Sequence, residues 1–348
     1  MALPDVGGGQ RTAVEWEENG RTMITTRACS GMTQVILDNG RIRASVLPEL
    51  GGKISSLVRA ATVREFLRQP SQPLQAAVYG ARFESYDASG FDECFPTIAA
   101  CEYPGGSFNG LELPDHGELW SSRWQFEIHG EELWLAVIGR RLPYIFRECI
   151  RLEYEAIVLR YELESVTDAP FHYLWSAHPL LKVDPGCRIV LPEDVNEMMV
   201  ESSRNQRLGK SGDSKRWPRA RLADGSETDL NILGDPSRRT ADKLFTPRLS
   251  NGACALYYPE SNESISFHFN CAIIPYVGVW ICEGGWPNPE DGHYTAALEP
   301  CTSRTDSLAE AIGGGECSRI LPGAKKSWEL RVQLQTGLPE NLVDRTQT

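Results

Sequence analysis

QVILDNGRIRASVL, residues 34–47, is the stretch on which the fold turns. Val35, Ile36 and Leu37 lead into Asn39-Gly40, after which Ile42, Ala44 and Val46 alternate with Arg41, Arg43 and Ser45. Asn-Gly between two alternating runs is a strong hairpin signal, and Pro48 then ends the strand. The same period of two returns downstream. Ile150, Leu152 and Tyr154 alternate with Arg151, Glu153 and Glu155, and then Ile157, Leu159, Tyr161 and Leu163 alternate with Arg160, Glu162 and Glu164. This predicts a second hairpin with one wet face. Alternation at Ile265, Phe267 and Phe269, and at Trp328, Leu330, Val332 and Leu334 after the Pro322-Gly323 turn, carries strands to the end of the chain.

Helix signals are scarce. Ser307 and Glu310 are spaced as a capping box, with Gly313 to Gly315 behind them, which predicts one short helical turn. Without long helices between strands a parallel α/β sheet loses its support, and no glycine-rich dinucleotide or phosphate-binding motif occurs, so neither NAD nor ATP has a cradle. The 348 residues, 41% hydrophobic and 24% charged, can build a sizeable core. No composition shift divides them. The expectation is a single β domain over 1–348, its core at about 13–336, with a long polar excursion at 201–242 that holds Arg204, Lys210, Lys215, Arg216 and Arg219. Met1 to about Thr12 and Gly337 to Thr348 read as too polar and irregular to be held firmly.

Thirty-five Lys plus Arg against 47 Asp plus Glu leave a net charge of -12, which repels a phosphate backbone and argues against nucleic acid as a partner. The ten cysteines form no C-x-x-C, which removes the main sequence signal for a zinc or redox motif and fits reduced thiols in the cytoplasm. No apolar run approaches the roughly 18 residues of a membrane helix, and the N-terminus lacks the basic-then-apolar pattern of a signal peptide.

Three places could carry chemistry. His116 lies in DHGELW (115–120), where Pro114 and Gly117 mark a turn, and His178 follows FHYLWSA (171–177) and precedes Pro179, where the strand is expected to end. A lone histidine in a turn is equally explained by a backbone hydrogen bond. Glu299 enters the small, apolar run Tyr294 to Pro300, and a carboxylate there must either face water, pair with a cation or serve a reaction. Asp92 and Glu93 in SGFDECFPTI (89–98) are adjacent on a strand, so their side chains point to opposite faces and at most one meets a given pocket. Trp120 and Trp280 stand near these motifs and offer flat faces to a sugar, although tryptophan also fills cores.

Together these pieces resemble the galactose mutarotase (aldose 1-epimerase) superfamily. The resemblance is carried by GRIRASVLPELGGKISSLV (40–58), DHGELW, SAHPLLKV (176–183), LEPCTS (298–303) and LPGAKKSWEL (321–330), in the family's order. It implies an all-β supersandwich with few short helices and an open sugar cleft on the larger sheet. By position, His178 resembles the family's general acid, Glu299 its general base, and His116 the second histidine near the ring oxygen. Arg82 and Asp92 are candidates for the groups that hold sugar hydroxyls, beside Glu93, Trp120 and Trp280. The chain departs from the family in having Gly117-Glu118 after the first histidine and Pro179-Leu180 after the second.

The activity so implied is interconversion of the α and β anomers of an aldohexose, free or phosphorylated, by acid/base ring opening without a metal or other cofactor. Other readings of the same residues are a sugar-binding sensor, a metal-dependent isomerase using His116, His178 and Glu299, and a glycosidase pairing Glu299 with Asp92 or Glu93. The sequence assigns no oligomeric state.

Overall fold

The computed structural model describes residues 20–343. Two antiparallel sheets, of 12 and 8 strands, make up most of it, together with short two-stranded ribbons. The expected hairpins form. Met32–Asp38 pairs with Ile42–Leu47 across Asn39-Gly40, whose Asn39 side-chain oxygen accepts from the Arg41 and Ile42 amides. Tyr144–Glu153 pairs with Ala156–Ser165, which in turn pairs with Lys325–Thr336 in the smaller sheet. The helical turn is Leu308–Gly314, with the Ser307 hydroxyl accepting from the Glu310 amide and Gly315 closing it in the left-handed region. No helix among the described residues is long and apolar enough to cross a membrane.

The polar stretch at 201–242 is built into the fold. Its Ser214–Arg216 strand lies at one edge of the larger sheet, and Arg219–Arg221 pairs with Glu227–Asp229 in a ribbon beside it. Met1 to Thr12 and residues 344–348 lie outside the described residues, whereas the chain from Gly337 to Leu342 is held, against its polarity. The Gly337 amide bonds to the Asn262 carbonyl, and Leu342 is buried against Val190, Ala253 and Ala255.

Five neighbouring strands at the centre of the larger sheet position the site. Across the sheet they are Phe91–Cys94, Ser176–Leu181, Tyr294–Cys301, Tyr276–Glu283 and Thr240–Phe245. Alternation assigns their two faces. Ala177, Leu181, Leu298, Val279 and Leu244 turn towards the smaller sheet and join the main core, where Tyr161, Trp175 and Trp328 pack ring on ring. His178, Leu180, Glu299, Ala297, Trp280 and Lys243 occupy the alternate positions and face the other way.

Pro179 does not end its strand. It continues to Leu181, with Pro179 in register with Phe91; the ladder to the Tyr294–Cys301 strand is instead interrupted there, holding at Ser176, Leu180 and Leu181. The break expected after FHYLWSA comes earlier, because Phe171–Tyr173 leaves to pair with Ser318–Ile320. His178 is therefore in mid-strand.

Candidate functional site

Register brings the distant motifs into one row. His178 is paired with Asp92 on one side, and the flanking pairs Ser176 with Cys301 and Leu180 with Ala297 set it opposite Glu299 on the other. Glu299 is paired in turn with Gly278, and Gly278 with Phe245. The next row on the same face runs Leu180, Ala297, Trp280, Lys243 and Ser202. Over these rows opens a cavity of about 250 Å³, lined among others by His116, His178, Lys243, Trp280, Glu299 and Asp306.

His116 reaches the cavity from a loop, and the loop is placed by Gly117. A Cβ on Gly117 would lie 2.1 Å from the Phe95 carbonyl oxygen, so only glycine lets the DHGELW turn press against the end of the Asp92 strand. His116 itself takes φ +57°, and its amide bonds to the Ile98 carbonyl. The ring is fixed by Asp115, 3.0 Å from its Nδ1, and by Phe83 stacked at 4.2 Å. Asp115 also accepts from the Phe83 amide, while its carbonyl accepts from the Trp120 indole. Glu118 accepts from the Tyr79 hydroxyl and from the Arg140 and Arg141 amides, and so ties the turn to two other loops.

His178 and Glu299 are both buried, at 6% and 1% exposure, yet each keeps a polar atom without a protein partner: Nδ1 of His178 and Oε1 of Glu299. His178 meets the His116 ring at 5.0 Å and the Phe83 ring at 5.1 Å, both edge-on. Burial, then the positive side of His116, Lys243 and Lys53, holds the His178 imidazole well below its usual pKa. Burial pushes Glu299 up, against the pull of Lys243 and with the push of Asp306. Both groups are thereby drawn towards their neutral forms, which for an acid/base pair is a state holding one transferable proton.

The sequence reading did not single out Lys243. Its ammonium contacts Glu299 Oε2 and lies 3.6 Å from Asp306. Burial works against its charge, but Asp306 and Glu299 outweigh burial and keep it protonated. Only a weak signal was present: TADKLF (240–245) sets the lysine between Asp242 and the apolar pair Leu244 and Phe245. Phe83, in the short 3-10 turn Phe83–Ser85, and Trp286, His293 and Asp306, in loops, also line the cavity where periodicity does not locate them. Burial, then Arg68, takes His293 down to about 4.

The remaining candidates separate. Asp92 shares the His178 row, but its carboxylate is 3.0 Å from Lys53 and is absent from the cavity lining. Glu93 points to the opposite face, where it accepts from the Tyr161 hydroxyl inside the sandwich. Arg82 is exposed and paired with Glu84. Trp280 lines the cavity, and Trp120 supports it from behind, edge-on to Phe83 at 5.1 Å. Among the described residues no three His, Cys, Asp or Glu side chains gather as a metal-binding group.

No protein-family model and no curated protein matches the chain. Solved structures do. A galactose mutarotase-like protein from Clostridium acetobutylicum superposes with a TM-score of 0.65 at 12% identity, covering 91% of this chain and 100% of the other. A galactose mutarotase-like protein from Lactobacillus casei gives 0.63 at 15%, covering 87% and 100%. A galactose mutarotase related enzyme from Lactobacillus acidophilus gives 0.61 at 13%, covering 92% and 100%. Identities this low speak for architecture alone, and the architecture of this chain is the all-β galactose mutarotase-like fold.

Proposed function

We propose that the protein is an aldose 1-epimerase that interconverts the anomers of an unphosphorylated aldohexose, most simply in the cytoplasm, where its free thiols stay reduced. One observation carries the reading. An imidazole and a carboxylate occupy facing positions on adjacent strands under one cavity, and each retains an unsatisfied buried atom. Unpaired buried polar atoms are costly, and hydroxyl groups of a bound sugar would satisfy them.

The chemistry follows from one shared proton. In the tautomer that carries this proton on His178 rather than on Glu299, Glu299 takes the proton of the anomeric hydroxyl while the imidazolium gives one to the ring oxygen, so the C1–O5 bond breaks and C1 becomes an aldehyde. Rotation about C1–C2 presents the other carbonyl face, and the reverse transfers close the ring. His116, ordered by Asp115 and Phe83, hydrogen-bonds the sugar beside His178. Trp280, Trp286 and Phe83 supply flat apolar walls for C–H faces.

Charge favours a sugar without phosphate. The lining holds one lysine and no arginine, and that lysine is already engaged by two carboxylates. Arg82 pairs with Glu84, Arg304 with Glu316, and Arg140 lies over the Tyr79 ring. Phosphate recognition would need free, convergent cations. The deciding experiment measures anomer exchange by NMR on a panel of aldoses and their 6-phosphates. Faster exchange on a free aldose is the expected result. Saturable binding with no added exchange would make the protein a sugar sensor, and preference for a phosphate would refute the charge argument.

A further inference from the structure

We propose that Lys243, reaching through a gap left by Gly278, is a positioning residue that grips one oxygen of the Glu299 carboxylate and leaves the other to the cleft; the role in turnover rests on the acid/base reading above. Lys243 and Glu299 are not on neighbouring strands. The Tyr276–Glu283 strand runs between them, with Trp280 paired to Lys243 and Gly278 paired to Glu299. The lysine stem must therefore cross over that strand diagonally, and it crosses at its glycine.

A Cβ on Gly278 would lie 3.2 Å from Lys243 Cε, 3.2 Å from the Phe245 ring and 3.3 Å from Glu299 Oε2. The φ of Gly278 is not in the left-handed region, so the close approach, not backbone conformation, is what the missing side chain serves. The ammonium engages Oε2, which leaves Oε1 as the oxygen without a partner.

The second counter-ion is anchored as well. The Asp306 carbonyl accepts from the Ile98 and Ala99 amides, and its own amide donates to Glu201 at 3.1 Å. Held between Asp306 and Glu299, the Lys243 amine stays protonated, so it is no nucleophile towards the open-chain aldehyde and acts through Glu299 instead.

The charged and titratable groups around Glu299 come from every packed element. They are Lys243 on the Thr240–Phe245 strand, Asp306 on the following loop, His116 on the turn, His178 on the adjacent strand, and the Cys94 and Cys301 thiols. Lys243 favours the ionised form of Glu299 and disfavours the charged form of His178. Removing its charge raises the proton affinity of both, so the whole working window moves to higher pH.

The test uses Lys243→Met, Lys243→Arg and Gly278→Ala in the full chain. The Glu299 carboxyl is followed by infrared difference spectroscopy against Glu299→Gln, and anomer exchange is measured over the same pH range. In Lys243→Met the Glu299 midpoint is expected to rise by about one to three units, the usual range for a carboxylate that loses an adjacent cation, with the rate profile moving the same way. Lys243→Arg should retain most of the wild-type midpoint, and Gly278→Ala, which crowds the crossing, should move it partway. Lys243→Gln serves if the Met variant does not fold. An unchanged midpoint in a folded, charge-free variant overturns the proposal. A shifted midpoint in a protein that exchanges no aldose upholds the clamp and overturns the proposed activity.

Discussion

Two buried lysines flank the His178 row, each between two carboxylates. Lys53 is held by Asp87 at 2.7 Å and Asp92 at 3.0 Å, and Lys243 by Glu299 and by Asp306 at 3.6 Å. Their composition is nearly the same, but their access differs. Lys53 also donates to the Ser89 carbonyl, and all three of its charged groups are sealed, Asp87 being the most exposed at 7%. The Lys243 cluster opens onto the cavity, and Asp306 is 20% exposed. A buried ion triad is weak evidence of function by itself, because breaking either one exposes an uncompensated charge. What distinguishes the two is that Lys243, Glu299 and Asp306 line the cavity whereas Lys53, Asp87 and Asp92 do not; Glu299 itself, at 1%, is no more exposed than Asp92.

The comparison breaks first on turnover. Glu299→Gln and His178→Asn should each lower anomer exchange by on the order of 10²–10⁴-fold while sugar binding persists in part, because each removes one end of the proton transfer. Near-normal rates in either variant, measured by NMR exchange, would return the open cluster to the same status as the sealed one.

Stability should divide the clusters in the opposite sense. Lys53→Met strands two carboxylates where water does not reach and is expected to cost about 3–5 kcal/mol in urea unfolding. Lys243→Met should cost less, because water reaches Asp306, which is 20% exposed, although Glu299 beside it is buried. Equal losses would show that access does not separate the two sites.

A smaller effect sharpens the contrast through pH. Burial raises Asp92 to about 6, partly offset by Lys53, so the folded chain binds this proton more tightly than the unfolded chain does. Stability from this group therefore falls as pH rises from about 4 towards 6. In Asp92→Asn that part of the slope should vanish in denaturation curves taken at successive pH values. An unchanged slope would mean that Lys53 already keeps Asp92 ionised throughout.

The least effect is expected at the wall. Trp280→Ala removes an apolar face from the cavity and should weaken sugar binding by about 1 kcal/mol, roughly fivefold by calorimetry, with little change in kcat. A loss confined to kcat would move Trp280 from binding surface to catalytic geometry.

Much of this site was legible along the chain. Glu299 stood out because a charged group in an apolar strand needs a reason, and His178 because a strand was expected to end at Pro179; that strand runs on, yet both residues reach one cavity. Asp92 and Glu93 illustrate the strength of the period-two rule, which sends them to opposite faces. It fails to say which face holds the cleft. Lys243 follows Asp242 in a strand whose first half is polar and so drew no attention, and its importance depends on Gly278, a residue on another strand whose contribution is the absence of a side chain.

Local physics accounts for what the sequence determined by itself: antiparallel strands, the Asn39-Gly40 turn, the capped helical turn, and a glutamate marked as out of place. Alternation and turn chemistry act between near neighbours, and near neighbours are what a linear chain displays. Only the tertiary structure decided that His178 lies between Asp92 and Glu299, that Lys53 is sealed while Lys243 is open, and that a lysine crosses a strand at a glycine. Those outcomes depend on strand order and register among segments far apart in the chain, and register is set by packing of the whole sheet.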